Sequence, residues 1–131
     1  MNKNSIVIIP CYNEEKRLKT EVYLDSLKKL PEISILFVND GSNDRTLEVL
    51  KNIANQLPEQ ISILNSVKNG GKANAIYEGG REALKKKPAY IGYIDADLAV
   101  SLEAFNELLE CAIKENKNFV FGSRWKRIGS T

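Results

Sequence analysis

The sequence predicts an α/β protein, built on a mostly parallel sheet with helices on both faces. Short apolar runs rich in branched and aromatic residues recur along the whole length, at Ser5–Ile9, Ser34–Val38, Ile61–Leu64, Tyr90–Ile94 and Phe119–Phe121. Each has the length of a strand, and the near-continuous apolar character fits strands buried on both faces. Between them lie segments of helical spacing. Strand and helix therefore alternate, the pattern of a parallel sheet joined by crossover helices.

The elements follow in order. After Ser5–Ile9 comes Glu15–Leu30, with a weak stripe of Leu18, Val22 and Leu27, closed by Pro31. Behind Ser34–Val38, the residues Leu47, Leu50, Ala54 and Leu57 make a second stripe. A third, Ala73, Ile76, Tyr77, Gly80 and Leu84, follows Ile61–Leu64. Beyond Tyr90–Ile94, Ser101 stands as N-cap to a fourth stripe of Leu102, Phe105, Leu109, Ala112 and Ile113. No internal repeat, low-complexity tract or linker interrupts the pattern, so residues 1–131 read as one domain.

Composition narrows the chemistry. At 43% hydrophobic and 27% charged, the chain has the make-up of a globular protein and can bury its own core. A net charge of +2 gives no bulk argument for a nucleic-acid partner, and none is expected. There is no histidine, which excludes Ser-His-Asp and Cys-His nucleophile systems and His zinc sites. Cys11 and Cys111 have no ligand spacing and read as reduced core thiols of a cytoplasmic protein. The opening MNKNSIVII is too short in apolar length for a secretory signal, and no stretch reaches a membrane span.

In open α/β sheets the ligand lies beyond the carboxyl ends of the strands. Those positions hold Pro10-Cys11-Tyr12-Asn13-Glu14, Asn39-Asp40-Gly41-Ser42-Asn43-Asp44, Lys68-Asn69-Gly70-Gly71-Lys72, Asp95-Ala96-Asp97 and Gly122-Ser123-Arg124. Asp95 and Asp97 offer hard oxygen ligands suited to Mg²⁺ or Mn²⁺, which would neutralise a departing diphosphate. Asp-x-Asp alone is weak, since chance supplies it about 0.4 times in a chain of this length. Its place directly after a buried strand gives it weight; solvated turn acids are the alternative.

Asp40 can accept from the N–H edge of a nucleobase, while Gly41 and Ser42 are equally explained as a bend and a helix cap. Gly70-Gly71-Lys72 opens a helix where a backbone can approach an anion, or is simply a glycine turn with an exposed lysine. It is not a P-loop. Tyr12 can lie against a base or half-bury in the core, and Glu14 can contact the ligand or sit in a helix's acidic first turn. Arg124-Trp125-Lys126-Arg127 can hold phosphates, lie near anionic lipid head groups or form a solvated face.

Taken together and in order, IVIIPCYNE (Ile6–Glu14), VNDGSND (Val38–Asp44), NGGKANA (Asn69–Ala75) and IDADL (Ile94–Leu98) resemble the inverting family-2 glycosyltransferases. FVFGSRW (Phe119–Trp125) is similar to the branch that glycosylates polyprenyl or dolichyl phosphate. The resemblance covers essentially the whole chain. It implies a Rossmann-like, GT-A type fold and metal-dependent, inverting transfer from a UDP- or GDP-sugar. It places Pro10, Tyr12, Glu14, Asp40, Ser42, Gly71, Lys72 and Asp95 in the nucleotide-sugar pocket. Asp95 and Asp97 become the metal pair, Asp97 and Arg124 the catalytic residues, with Arg124 on the acceptor phosphate.

Two departures stand out. Many lipid-phosphate members have DADLQ where this chain has Ala99, closer to glucosyl-type than mannosyl-type members. Members also usually run longer, so this chain is expected to be the donor-binding part of a longer protein. The full protein would sit at the cytoplasmic face of a membrane and serve cell-envelope glycan synthesis. A lipid phosphate is already ionised near neutral pH and needs no general base, consistent with the missing histidine. Two other readings remain. The chain can be a nucleotide-sugar-binding module without turnover. It can also be a haloacid-dehalogenase-like phosphotransferase with Asp95 as nucleophile, although Ala99 stands where that family has Thr or Val.

Overall fold

The computed structural model describes residues 4–114; the strand expected at Phe119–Phe121, and Arg124, lie outside them. Strands β1 (Ser5–Cys11), β2 (Ile33–Asp40), β3 (Ile61–Ser66) and β4 (Tyr90–Tyr93) form one parallel sheet of order β3-β2-β1-β4. Helices α1 (Thr20–Lys29), α2 (Thr46–Gln56) and α3 (Lys72–Leu84) join successive strands, and α4 (Leu102–Lys114) follows β4.

The apolar runs serve two cores. Val7, Ile9 and Cys11 of β1 and Ile33, Ile35 and Phe37 of β2 pack with α1, α2 and α4. The alternate residues, Ile6, Ile8, Leu36 and Val38, meet Ala75 and Ala83 of α3 on the opposite face. Side chains alternate across a strand, so only an unbroken apolar run supplies both layers. Helices cover both faces, as the strand character requires.

The chain steps from β1 to β2 to β3 in one direction, then crosses back to lay β4 on the far side of β1. That reversal opens a crevice at the carboxyl ends of β1 and β4. It is the place where the site forms.

Helix positions departed from expectation in instructive ways. Helix α1 begins at Thr20, because residues Glu14–Leu18 make a separate turn in which the amides of Arg17 and Leu18 both donate to the Glu14 carbonyl. Its buried face is Tyr23, Leu24, Ser26 and Leu27, while Val22 is exposed. In α2 the buried residues are Thr46, Leu50 and Ile53. Helix α3 turns its small residues, Ala75, Gly79 and Ala83, to the sheet and leaves Tyr77 and Leu84 in solvent. A Cβ on Gly79 would fall 2.7 Å from Ile8 Cγ2 and 2.9 Å from Val38 Cγ2, so this helix packs too close for a larger side chain.

The stripe of α4 is as expected, with Leu102, Phe105, Leu109 and Ala112 buried and the Ser101 hydroxyl accepting from the Ala104 amide at 3.0 Å. Both cysteines are free, yet only Cys11 is a core thiol. Cys111 is exposed, because it falls on the outer side of α4 beside Ala112. Among the described residues no helix is long and apolar enough to cross a membrane.

Candidate functional site

The crevice is a cleft of about 520 Å³ lined by Pro10, Cys11, Tyr12, Glu14, Arg17, Asp40, Asn69, Gly71, Lys72, Asp95, Ala96 and Asp97. That size falls within the roughly 300–1,000 Å³ usual for small-molecule sites. A smaller cavity of about 120 Å³ lies toward the amino ends of β1–β3, against Glu59, Gln60 and Lys86. It holds none of the strand-end residues.

One wall of the cleft is made by two loops locked to each other. Asn13, in the left-handed region at φ +52°, donates its amide to Ser42 Oγ at 3.0 Å. Its side-chain oxygen accepts from the Asn43 amide at 2.8 Å. The Glu14 amide donates to Thr46 Oγ1 at 2.8 Å, and the Glu15 amide to Asp44 Oδ2 at 3.2 Å. In return Glu15 Oε1 accepts from the Arg45 amide at 3.1 Å. Short polar side chains thus satisfy loop amides that no ladder reaches.

The same exchanges explain Ser42. Its hydroxyl donates to Asn39 Oδ1 at 2.6 Å while accepting from Asn13, so it braces the wall and is not among the lining residues. Nor does it cap α2: the Thr46 amide, at 2.9 Å, goes to Asp44 Oδ1 instead.

Asp40 organises the opposite wall. Only 3% exposed, it accepts from the Gly70 amide on Oδ1 and the Gly71 amide on Oδ2, each at 2.9 Å, and from Asn69 Nδ2 at 3.2 Å. The Asn69 side chain also reaches the Asp40 carbonyl, at 3.0 Å. Gly41 makes this approach possible. It has φ +66°, and a Cβ there would lie 2.4 Å from the Asn69 backbone nitrogen. The glycine is required twice over, for its dihedral and for the space.

Gly71, at φ +92°, leads directly into α3. Lys72, the first helical residue, pairs its ammonium with Asp95 Oδ1 across the cleft. Asp97 is the more exposed member of the acidic pair, and its Oδ1 accepts from the Ala99 amide at 3.0 Å. Between them Ala96 is buried and its carbonyl accepts from the Tyr23 hydroxyl at 2.7 Å.

Among the described residues the cleft lining is rich in acid, with Glu14, Asp40, Asp95 and Asp97 against Arg17 and Lys72. Burial pushes the Glu14 carboxyl above its ordinary range; Arg17, with Nε 3.2 Å from Oε1, opposes this, and Asp97, Asp44 and Asp95 reinforce it. Burial likewise pushes up the Cys11 thiol, with Glu14 adding to the effect, so this cysteine is inert. The Tyr23 phenol is raised by burial first, then by Cys11, Glu14 and Asp97, and stays a donor.

The donor chemistry fits a hard divalent cation. Asp95 and Asp97 supply carboxylate oxygens to a cleft with excess negative charge. No group of three or more acidic, cysteine or histidine side chains able to hold a metal ion occurs among the described residues. Mg²⁺-type sites commonly use one or two carboxylates and complete their shell with water and substrate phosphates.

Of the residues picked out by sequence, Pro10, Tyr12, Glu14, Asp40, Gly71, Lys72, Asp95 and Asp97 come together in the cleft. Sequence reasoning missed Arg17 and Asn69. Arg17 falls within the helix expected over Glu15–Leu30, although its i,i+3 spacing from Glu14 is a usable signal. Asn69 stands among the expected strand-end residues, but nothing in the sequence gives its side chain a role.

Comparison with known proteins gives a consistent result. The family model described as Glycosyl transferase family 2 matches residues 6–131. Dolichyl-phosphate beta-glucosyltransferase ALG5A of Trichomonas vaginalis is 38% identical over 131 residues, an alignment covering 90% of this chain and 39% of that protein. The dolichyl-phosphate beta-glucosyltransferase of Dictyostelium discoideum is 32% identical, over 94% of this chain and 42% of its own length. An uncharacterized protein of Methanocaldococcus jannaschii is 36% identical, over 91% of this chain and 51% of its own. The chain thus spans about two fifths to one half of these relatives. A solved mannosyltransferase of Pyrobaculum calidifontis, in complex with GDP-Man and Mn²⁺, shares the fold at a TM-score of 0.61 and 24% identity, over 74% of this chain and 28% of that one. The expected parallel α/β architecture of a glycosyltransferase is therefore the one found.

Proposed function

The chain belongs to glycosyl transferase family 2, and from that premise we propose that it is the donor-binding domain of an enzyme moving a sugar from a nucleoside diphosphate to a polyprenyl phosphate. The observation carrying this is the meeting of Asp95, Asp97, Gly71 and Lys72 in one cleft at the topological switch point. The names of the glucosyltransferase relatives support the acceptor.

In this reading Tyr12 lies against the base and Pro10 and Glu14 line its pocket. Asp40 has three donors on a carboxylate that offers about four acceptor positions, which leaves room for one N–H of the base. The Gly71 turn and Lys72 face the diphosphate. Asp95 and Asp97 would hold a Mg²⁺ or Mn²⁺ ion; that the solved mannosyltransferase carries Mn²⁺ supports this. When bound, the ion offsets the charge that builds on the departing diphosphate.

The acceptor oxygen, already anionic, attacks the anomeric carbon from the face opposite the leaving group. The bond to the donor phosphate breaks as the new one forms, its electron pair leaves with the nucleoside diphosphate, and the centre inverts. Arg124 is assigned to hold the acceptor phosphate.

The test is incubation of the chain, and of the full-length protein, with UDP-glucose or GDP-mannose, a polyprenyl phosphate and Mn²⁺. A glycolipid of inverted anomeric configuration, formed in step with free nucleoside diphosphate, is the expected product. Donor binding without transfer by the full-length protein, whatever the acceptor, would instead make this a binding module.

A further inference from the structure

The turn between β4 and α4 carries both carboxylates of the proposed ion site, and its backbone is held in an uncommon shape. Leu98 has φ +57°, in the left-handed region that a leucine seldom adopts. Such a conformation persists only where its surroundings over-determine it. Two local hydrogen bonds contribute: the Leu98 amide donates to the Asp95 carbonyl, and the Ala99 amide to Asp97 Oδ1, each at 3.0 Å. Both bonds lie within the turn and tie it to no other element, so they open readily once the turn is released.

The third anchor is of another kind. Tyr23, from the middle of α1, donates its hydroxyl to the Ala96 carbonyl at 2.7 Å. Its ring is fully buried and set edge-on to Phe37, with centroids 5.2 Å apart and planes at 74°. This bond ties the peptide between Asp95 and Asp97 to a side chain of the main core. A phenylalanine would fill the same space as the ring; what the hydroxyl adds is a grip on that one carbonyl.

We propose that Tyr23 is a positioning residue for the carboxylate pair, its hydroxyl fixing the Ala96 carbonyl so that Asp95 and Asp97 are aimed together at a divalent ion. Tyr23 touches neither ion nor substrate and acts only through the turn. The inference rests on the reading of Asp95 and Asp97 as the ion-holding pair.

The test compares Tyr23→Phe with the unmodified chain by amide hydrogen exchange and by Mn²⁺ broadening of the backbone resonances of residues 95–99, with Mn²⁺ alone as the probe. Ile53→Val, which loosens the same core from α2 and leaves the Tyr23 hydroxyl in place, serves as control. Tyr23→Phe should speed exchange at the Leu98 and Ala99 amides by about tenfold, as loss of one ordinary hydrogen bond does. The Mn²⁺ concentration for half-broadening should rise at least about threefold by the same reasoning. Ile53→Val should lower the melting temperature and change neither. Unchanged exchange and broadening in Tyr23→Phe, or equal changes in Ile53→Val, would overturn the proposal. If the unmodified chain shows no Mn²⁺ broadening at these residues, the ion-holding reading falls, and exchange alone decides whether Tyr23 holds the turn.

Discussion

Replacing Asp40 with asparagine probes how the cleft is held together. The carboxylate takes the Gly70 and Gly71 amides, one on each oxygen, and Asn69 Nδ2 joins Gly71 on Oδ2. Asparagine keeps one oxygen and turns an NH₂ group toward donors that the other oxygen had served. If the kept oxygen faces Gly70, the Gly71 amide meets a donor; a polar group orphaned in this way costs about 1–3 kcal/mol. The surviving bond also loses its charge assistance, roughly half its strength. Held in place, the loop would therefore cost the fold about 2–4 kcal/mol.

Release offers the loop a cheaper route, since Asn69 and Gly70 are exposed and water can replace the lost acceptor. We expect Asp40→Asn to lose about 1–3 kcal/mol in urea melts, with the Gly70 and Gly71 amides losing exchange protection. Lys72 follows Gly71 directly, so release would also draw it away from Asp95 and weaken binding of every nucleotide. Stability within about 0.5 kcal/mol of the parent, with both amides still protected, would refute this account of Asp40.

Other positions give sharper single readouts. Gly79→Ala would normally stabilise a helix interior, but its Cβ would fall 2.7 Å from Ile8, so a net loss of about 1–3 kcal/mol is expected in thermal melts. A thiol reagent should modify Cys111 in the native chain and leave Cys11 untouched until it unfolds, as counted by mass spectrometry. Burial raises the Asp44 carboxyl, yet hydrogen bonds from the Thr46 hydroxyl and amide and from the Glu15 amide outweigh it, leaving it below the ordinary 3.8. A depressed carboxyl stabilises the fold above its unfolded pKa and loses that contribution as pH falls through the folded one. Acid melts should therefore show the loop clamp failing only below pH 3.8, and Asp44→Asn should remove that dependence.

Most of the scaffold and much of the cleft were legible in the sequence, for physical reasons. Runs such as Ile35–Val38 must be apolar throughout to feed two cores, so they announce buried strands. The strand ends then locate the cleft, because a parallel sheet opens its crevice at carboxyl ends. Helix α3 misled because its packing face is small: Ala75, Gly79 and Ala83 carry little hydrophobicity, while Tyr77 and Leu84 imitate a core stripe from the solvent side. Ser42 misled because hydrogen-bond partners 29 residues apart, as with Asn13, leave no local trace. Tyr23 was hidden for the same reason, its partner lying 73 residues further on.

The most direct test of the central claim is calorimetric titration of UDP and of GDP into the chain, with and without Mn²⁺, repeated for Asp97→Asn. Binding of a nucleoside diphosphate that requires Mn²⁺ and is lost in Asp97→Asn is the predicted result. Binding that is indifferent to both the ion and the substitution would contradict the assignment of this cleft as an ion-assisted donor site.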